Sequence, residues 1–217
     1  MVRAVSPPPE VVTAQGPDGV TIDPFARCDS DAVGAGTVIW GFAHIEAGAV
    51  VGRACKIGEH SYVEAGATIG DRVTVKNAAL IWRGVHLGDD VFVGPRVTFT
   101  NDRRPRAHRR RTGDELDDTV IGPGATLGAS VTVVCGVTVG HDAMVGAGSL
   151  VHRDVPAHAL VVGVPAHRIG WVCRCGDRLD DQFRCGCGRR YRTADDGGLE
   201  PVDVVGAQAV ARVGVSI

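Results

Sequence analysis

Aromatic residues make up only 5% of this 217-residue chain, and methionine occurs twice, whereas glycine occurs 30 times and valine recurs throughout. Such a composition excludes a core of large side chains and points to many short, repeated turns. No apolar run is long enough to span a bilayer, which excludes a transmembrane helix. The first residues lack a basic stretch followed by an apolar one, and residues 6–9 read Ser-Pro-Pro-Pro, a stiff extended leader rather than a signal. The formal net charge of −2 exerts no global pull toward nucleic acid or a membrane surface, and neither is expected as a partner. Seven cysteines, an odd number with four crowded near the C-terminus, do not form the paired framework of a small secreted fold. Reduced thiols or a metal fit better, and the expected location is the cytoplasm.

What the chain does have is a strict period. Twelve aliphatic or aromatic residues stand six apart without a slip: Val33, Ile39, Ile45, Val51, Ile57, Val63, Ile69, Val75, Ile81, Leu87, Val93 and Phe99. The phase returns at Ile121, Leu127, Val133, Val139, Val145 and Val151, and weaker matches at Ile22 and Cys28 precede the first run. Four residues after each apolar position sits something small or β-branched, such as Thr37, Ala43, Cys55 and Val97. A helix needs apolar spacing near 3.6 and a simple strand needs alternation, so a period of six fits neither for long. It fits short strands with a corner after each, three hexads closing a triangular turn that stacks about 4.8 Å from the next. Glycine after many of the aliphatic positions, as at Gly34, Gly52 and Gly122, admits a tight backbone there.

This repeat resembles that of the hexapeptide-repeat acyltransferases. The resemblance, rather than the spacing, implies that the parallel β-helix is left-handed, against the usual crossover rule. The expected architecture is all-β. A leader (1–19) precedes a β-helix (20–156) with a protruding loop (100–119). A connecting segment (157–170), a zinc-ribbon-like Cys-rich module (171–193) and a tail (194–217) follow.

The loop begins where the phase breaks, between Phe99 and Ile121. Long insertions in compact repeats are usually functional. Six arginines between Arg103 and Arg111 make it a concentrated anion-binding surface, suited to a pyrophosphate or to the phosphates of coenzyme A. A solvated loop and a nucleic-acid patch are the blander alternatives.

Residues 93–102, ending Thr100-Asn101-Asp102, with Pro105-Arg106 following, resemble the loop of one branch of the family. Residues 39–45, residues 55–58, residues 162–166 and residues 169–171 match the same branch. That branch comprises N-acetyltransferases of the 3-amino group of UDP- or dTDP-linked amino sugars, made for surface polysaccharide. The resemblance implies acetyl-CoA as co-substrate and a homotrimer with active sites between neighbouring prisms. It also implies that Asn77 accepts a hydrogen bond from the sugar amine, although Ala78 stands where relatives often carry a second asparagine. A side-chain carbonyl orients such a nucleophile without deprotonating it. No dedicated base is then required, because the departing thiolate can take the proton while a backbone N–H holds the oxyanion.

The resemblance further implies nucleotide or sugar contacts from His44, Asn101, Asp102 and Arg106, and coenzyme A contacts from Ala147 and Arg168. His44, His86 and His141 are the competing base candidates. Three converging histidines would instead indicate a γ-class carbonic anhydrase. Other hexapeptide acyltransferases and a non-enzymatic scaffold complete the alternatives. Finally, Cys173, Cys175, Cys185 and Cys187 form two Cys-x-Cys-Gly knuckles, enough thiolates for a structural zinc ion; reduced cysteines in a mobile tail are the alternative.

Overall fold

A computed structural model describes residues 14–15, 19–109 and 111–202; Arg110, most of the leader and residues 203–217 of the tail lie outside the described residues. The chain winds into a left-handed parallel β-helix of triangular section. Most flats are two-residue strands, the first residue pointing out and the second in, as in Val38–Ile39, His44–Ile45 and Val50–Val51. Equivalent strands of successive coils pair in parallel, for example Lys56–Ile57 with Thr74–Val75. Three sheets of ten, seven and five strands form the three faces.

The six-residue period is thereby explained. One position in six points to the axis, and Ile39, Ile45, Ile57, Val63, Ile81, Phe99, Ile121 and Leu127 are all within 1% of complete burial. The small residue four positions later fills the corner: Ala43, Ala49, Cys55, Ala67 and Ala79 are equally buried. Where that residue is polar, the backbone satisfies it, as Thr37 Oγ1 donates to the Gly52 carbonyl at 2.8 Å.

The glycines that follow the aliphatic positions act by close approach. A methyl group at Gly34 would lie 2.6 Å from the Arg53 amide nitrogen in the coil above. The left-handed backbone instead falls two or three positions later in each corner. Along one edge glycine supplies it (Gly48, Gly66, Gly84), and along another Phe42, His60, Ala78 and Arg96 adopt it despite their side chains.

The coils start and end outside the strict hexads. Ala14–Gln15, within the expected leader, pairs antiparallel with Thr21–Ile22, which belongs to the first coil. At the other end Val161 stacks on Val145 although the step has shortened to 16 residues, so stacking runs past the boundary expected at residue 156. The strand His167–Trp171 then folds back antiparallel on Ala159–Val162. The loop rejoins the prism at Thr119–Ile121, one residue before its expected end. No helix among the described residues is long and apolar enough to cross a membrane.

Candidate functional site

The loop leaves the prism after Thr98–Phe99 and curls back over the corner from which it came. Between loop and corner lies a cavity of ≈550 Å³ lined by Asn101, Asp102, Arg106, Arg109 and Arg111 from the loop and by Glu64 and Arg83 from the coils beneath. Three of the residues expected to bind substrate therefore meet in one cleft. Asp102 is 17% exposed, and its carboxylate already accepts from the Arg104 amide at 2.7 Å and the Arg111 guanidinium at 3.4 Å. It holds the loop in shape, while the exposed Arg106 guanidinium donates only to the neighbouring Pro105 carbonyl, at 3.0 Å. Arg103 ties the far side of the loop to Asp117 at 3.0 Å.

Glu64 and Arg83 were not singled out from the sequence. The signal was present in the coil length: 18 residues before the loop's first residues stand Trp82 and Arg83, and 18 before Trp82 stands Glu64. The Arg83 amide donates to Glu64 at 2.8 Å, which fixes both on the floor of the cleft.

Asn77 sits elsewhere, exposed at the corner between the first and second faces. It shares a smaller cavity of ≈290 Å³ with Trp40, Lys56, Glu59, Thr74 and Lys76. Its amide nitrogen is 3.4 Å from Glu59 Oε2, so the side-chain oxygen is the end left available to accept. Ala147, also exposed, occupies the same corner three coils further on, where its backbone passes close over Gly128. Arg168, exposed on the returning strand, lies over the Trp171 ring at 4.3 Å.

His44 stands on the second face, its Nε2 3.2 Å from Asp29 and its ring edge-on to Tyr62. Tyr62 in turn donates to Glu46 at 2.5 Å, and that bond pushes the phenol up to about 12 and holds the Glu46 carboxyl below its ordinary range. His86 stands on the third face, bonded through Nδ1 to Thr68 at 2.7 Å, with Asp118 3.8 Å from Nε2. His141 lies beside Asp142 near the last coil. Among the described residues these three histidines do not converge, and an anhydrase metal site is not formed within one chain.

The four cysteines do converge: each offers a sulfur, and all four sulfurs lie within 4.8 Å of one another.

The hexads of the prism match two families of hexapeptide repeat. Residues 118–153 match the family described as bacterial transferase hexapeptide (six repeats), and residues 48–81 match the hexapeptide repeat of succinyl-transferase. Over 80 residues, 36% of this chain, the sequence is 48% identical to the dTDP-3-amino-3,6-dideoxy-alpha-D-galactopyranose 3-N-acetyltransferase of Aneurinibacillus thermoaerophilus, covering 42% of that protein. Over 159 residues, 73% of this chain, it is 32% identical to the bifunctional protein GlmU of Synechococcus elongatus, covering 32% of it. The chain thus spans less than half the length of these curated relatives. Among solved structures, AntD, an N-acyltransferase from Bacillus cereus crystallised with dTDP and coenzyme A, shares the fold. The TM-score is 0.54 at 17% identity, over 72% of this chain and 82% of that one.

Proposed function

We propose that the protein is an acetyl-CoA-dependent N-acetyltransferase acting on the 3-amino group of a UDP- or dTDP-linked amino sugar, for surface polysaccharide or another glycoconjugate. The observation that carries this reading is the cleft under the loop. Four arginines, Arg83, Arg106, Arg109 and Arg111, surround Asn101 and Asp102 there. Planar guanidinium groups grip phosphate oxygens in pairs, so the cleft suits the diphosphate of a nucleotide sugar. The similarity to a dTDP-amino-sugar N-acetyltransferase supports the same substrate class.

In this reading Asn77 accepts an N–H of the neutral amine, leaving the nitrogen lone pair aimed at the thioester carbonyl. The C–N bond forms, a backbone N–H holds the oxyanion, the C–S bond breaks and the departing sulfur takes the amine proton. Coenzyme A follows the corner that carries Asn77 and Ala147, with its phosphates near Arg168. Because Asn77 and the arginine cleft lie at different corners of one prism, their cooperation needs the loop of a neighbouring chain, and a homotrimer is the assembly proposed. The proposed location is the cytoplasm, where thiols remain reduced.

The test follows thiol release from acetyl-CoA with a panel of UDP- and dTDP-linked 3-amino sugars. Turnover with one member, giving a product heavier by one acetyl group, is expected. No thiol release with any member would leave a binding scaffold as the better account.

A further inference from the structure

We propose that Cys173, Cys175, Cys185 and Cys187 bind one structural zinc ion, and that this ion locks the C-terminal module onto the last coil as the end cap of the β-helix. The inference is independent of acyl transfer.

Cys173 Sγ lies 3.6 Å from Cys187 Sγ, Cys175 Sγ 3.5 Å from Cys185 Sγ, and Cys175 Sγ 3.7 Å from Cys187 Sγ. A zinc–sulfur tetrahedron with arms of about 2.3 Å has edges of roughly 3.8 Å. Three of the six sulfur–sulfur edges have that length, and all four sulfurs lie within 4.8 Å of one another.

The backbone is built around that point twice. Cys173 N–H donates to the Asp177 carbonyl and Gly176 N–H to the Cys173 carbonyl, both at 2.8 Å. Shifted by twelve residues, Cys185 N–H donates to the Arg189 carbonyl and Gly188 N–H to the Cys185 carbonyl, both at 2.9 Å. Gly176 and Gly188 hold φ of +96° and +90°, a conformation that turns each knuckle back and that other residues resist. The antiparallel bridges repeat with the same shift, Val172 with Arg178 and Arg184 with Arg190. Two copies of one knuckle facing each other present two thiols each to a shared centre.

Charge and packing agree. Zinc with four thiolates carries a net charge of −2, and donors to sulfur offset it. Arg189 donates to Cys187 Sγ at 3.3 Å, and the Tyr191 hydroxyl sits 3.1 Å from Cys173 Sγ. The start of the expected tail joins the module, Leu199–Pro201 pairing with Tyr191–Thr193, and among the described residues its core, apart from Cys173 and Cys185, is Leu179, Tyr191 and Leu199, with Trp171 and Phe183 at its edge. So few apolar side chains hold a small unit weakly without a staple. Thiolates select zinc or another soft metal over magnesium or calcium. Four protein ligands leave no open position, so the role is structural.

The module in turn covers the end of the prism. Val172 N–H donates to the His158 carbonyl at 2.8 Å, Leu199 N–H to the Ala157 carbonyl at 3.2 Å, and the Tyr191 ring packs on His158 at 4.6 Å. Solenoids need such a terminal cover for their last coil.

The experiment uses the full chain purified without chelator. Elemental analysis is expected to give one zinc per chain, released when an organomercurial titrates the thiols. Exchange with cobalt(II) is expected to give the intense visible bands of a tetrahedral tetrathiolate. Cys175→Ser and Cys187→Ser, at the two exposed ligands, are expected to lower zinc to background, whereas Cys28→Ser in the first coil retains it. Stripping the metal is expected to speed amide exchange at residues 157–162. A metal-free chain with four reactive module thiols, or an intact mass short by four hydrogens from two disulfides, would overturn the site. Unchanged amide exchange on stripping would overturn the capping role. None of these readouts measures acyl transfer.

Discussion

Asn77 and Ala147 occupy equivalent positions on one corner of the β-helix, two residues beyond the paired strands Thr74–Val75 and Met144–Val145. Two further coils, at Phe92–Val93 and Thr126–Leu127, separate them, so with about 4.8 Å per coil they stand roughly 14 Å apart along the axis.

Both side chains are exposed, so both can be changed without touching the core. Asn77→Ala is expected to lower kcat by roughly 100-fold, the scale on which loss of orientation acts, while leaving coenzyme A affinity unchanged. Ala147→Trp is expected to do the converse, raising the KM for acetyl-CoA about 10-fold or more by crowding the corner along which coenzyme A is proposed to lie. Steady-state kinetics with calorimetric titration of coenzyme A separates the two. Equal effects of both variants on affinity would argue against distinct roles for the two positions.

The division of the site between chains has its own consequence. If the arginine cleft of one chain serves the Asn77 corner of the next, Asn77→Ala and Arg83→Ala damage different halves of each site. Trimers assembled from both variants would then contain some intact sites. Co-expression is expected to restore turnover well above that of either variant alone. A mixture no better than the average of the two would place the whole site within one chain.

The architecture was legible because the hexad is a direct image of the section: one inward side chain per flat, one small residue per corner. Ile81 and Phe99 could be assigned to the core from the period alone. Asn101, Asp102 and Arg106 were legible as a group because the insertion broke that period. Glu64 and Arg83 were not, since an exposed corner residue obeys no hydrophobic rule and gains meaning only when the loop folds over it. His158 was equally silent: its burial follows from the shortened last coil and from Tyr191, residues outside the hexad phase.

Core burial also sets the cost of a truncation. Ile81 is fully buried between Val63 and Phe99 of adjoining coils. Ile81→Ala is expected to destabilise by about 2–5 kcal/mol, because stacked neighbours cannot close over the void. For a chain of this size that is a fall in melting temperature of roughly 4–20 °C, measurable by circular dichroism. Lys76→Ala, nearby and exposed, is the control and is expected to shift it negligibly.

The last coil carries a pH dependence centred on His158, which is 2% exposed. Its Nδ1–H donates to the Val172 carbonyl at 3.0 Å, leaving the Nε2 lone pair toward Asp142 at 3.7 Å. Burial lowers the ring's proton affinity below its ordinary value of 6.5, and nearby His141 adds to this, while Asp142 and the Val172 carbonyl oppose it. Burial, with the contact to Cys173, pushes the phenol of Tyr191, which packs on the ring, up to about 12, so it stays neutral throughout the range. Below pH 6.5 the unfolded chain therefore takes up a proton that the folded ring refuses. Stability is expected to be level from this source above pH 6.5 and to fall below it, by at most about 1.4 kcal/mol per pH unit, until the folded ring itself protonates. Denaturant unfolding of wild type and His158→Gln between pH 7.5 and 5 isolates the effect, since the other histidines are common to both. The variant is expected to start less stable at neutral pH and to lose less on acidification. Parallel curves would mean that the buried ring binds its proton as readily as a free one, and Asp142 would then be the dominant neighbour.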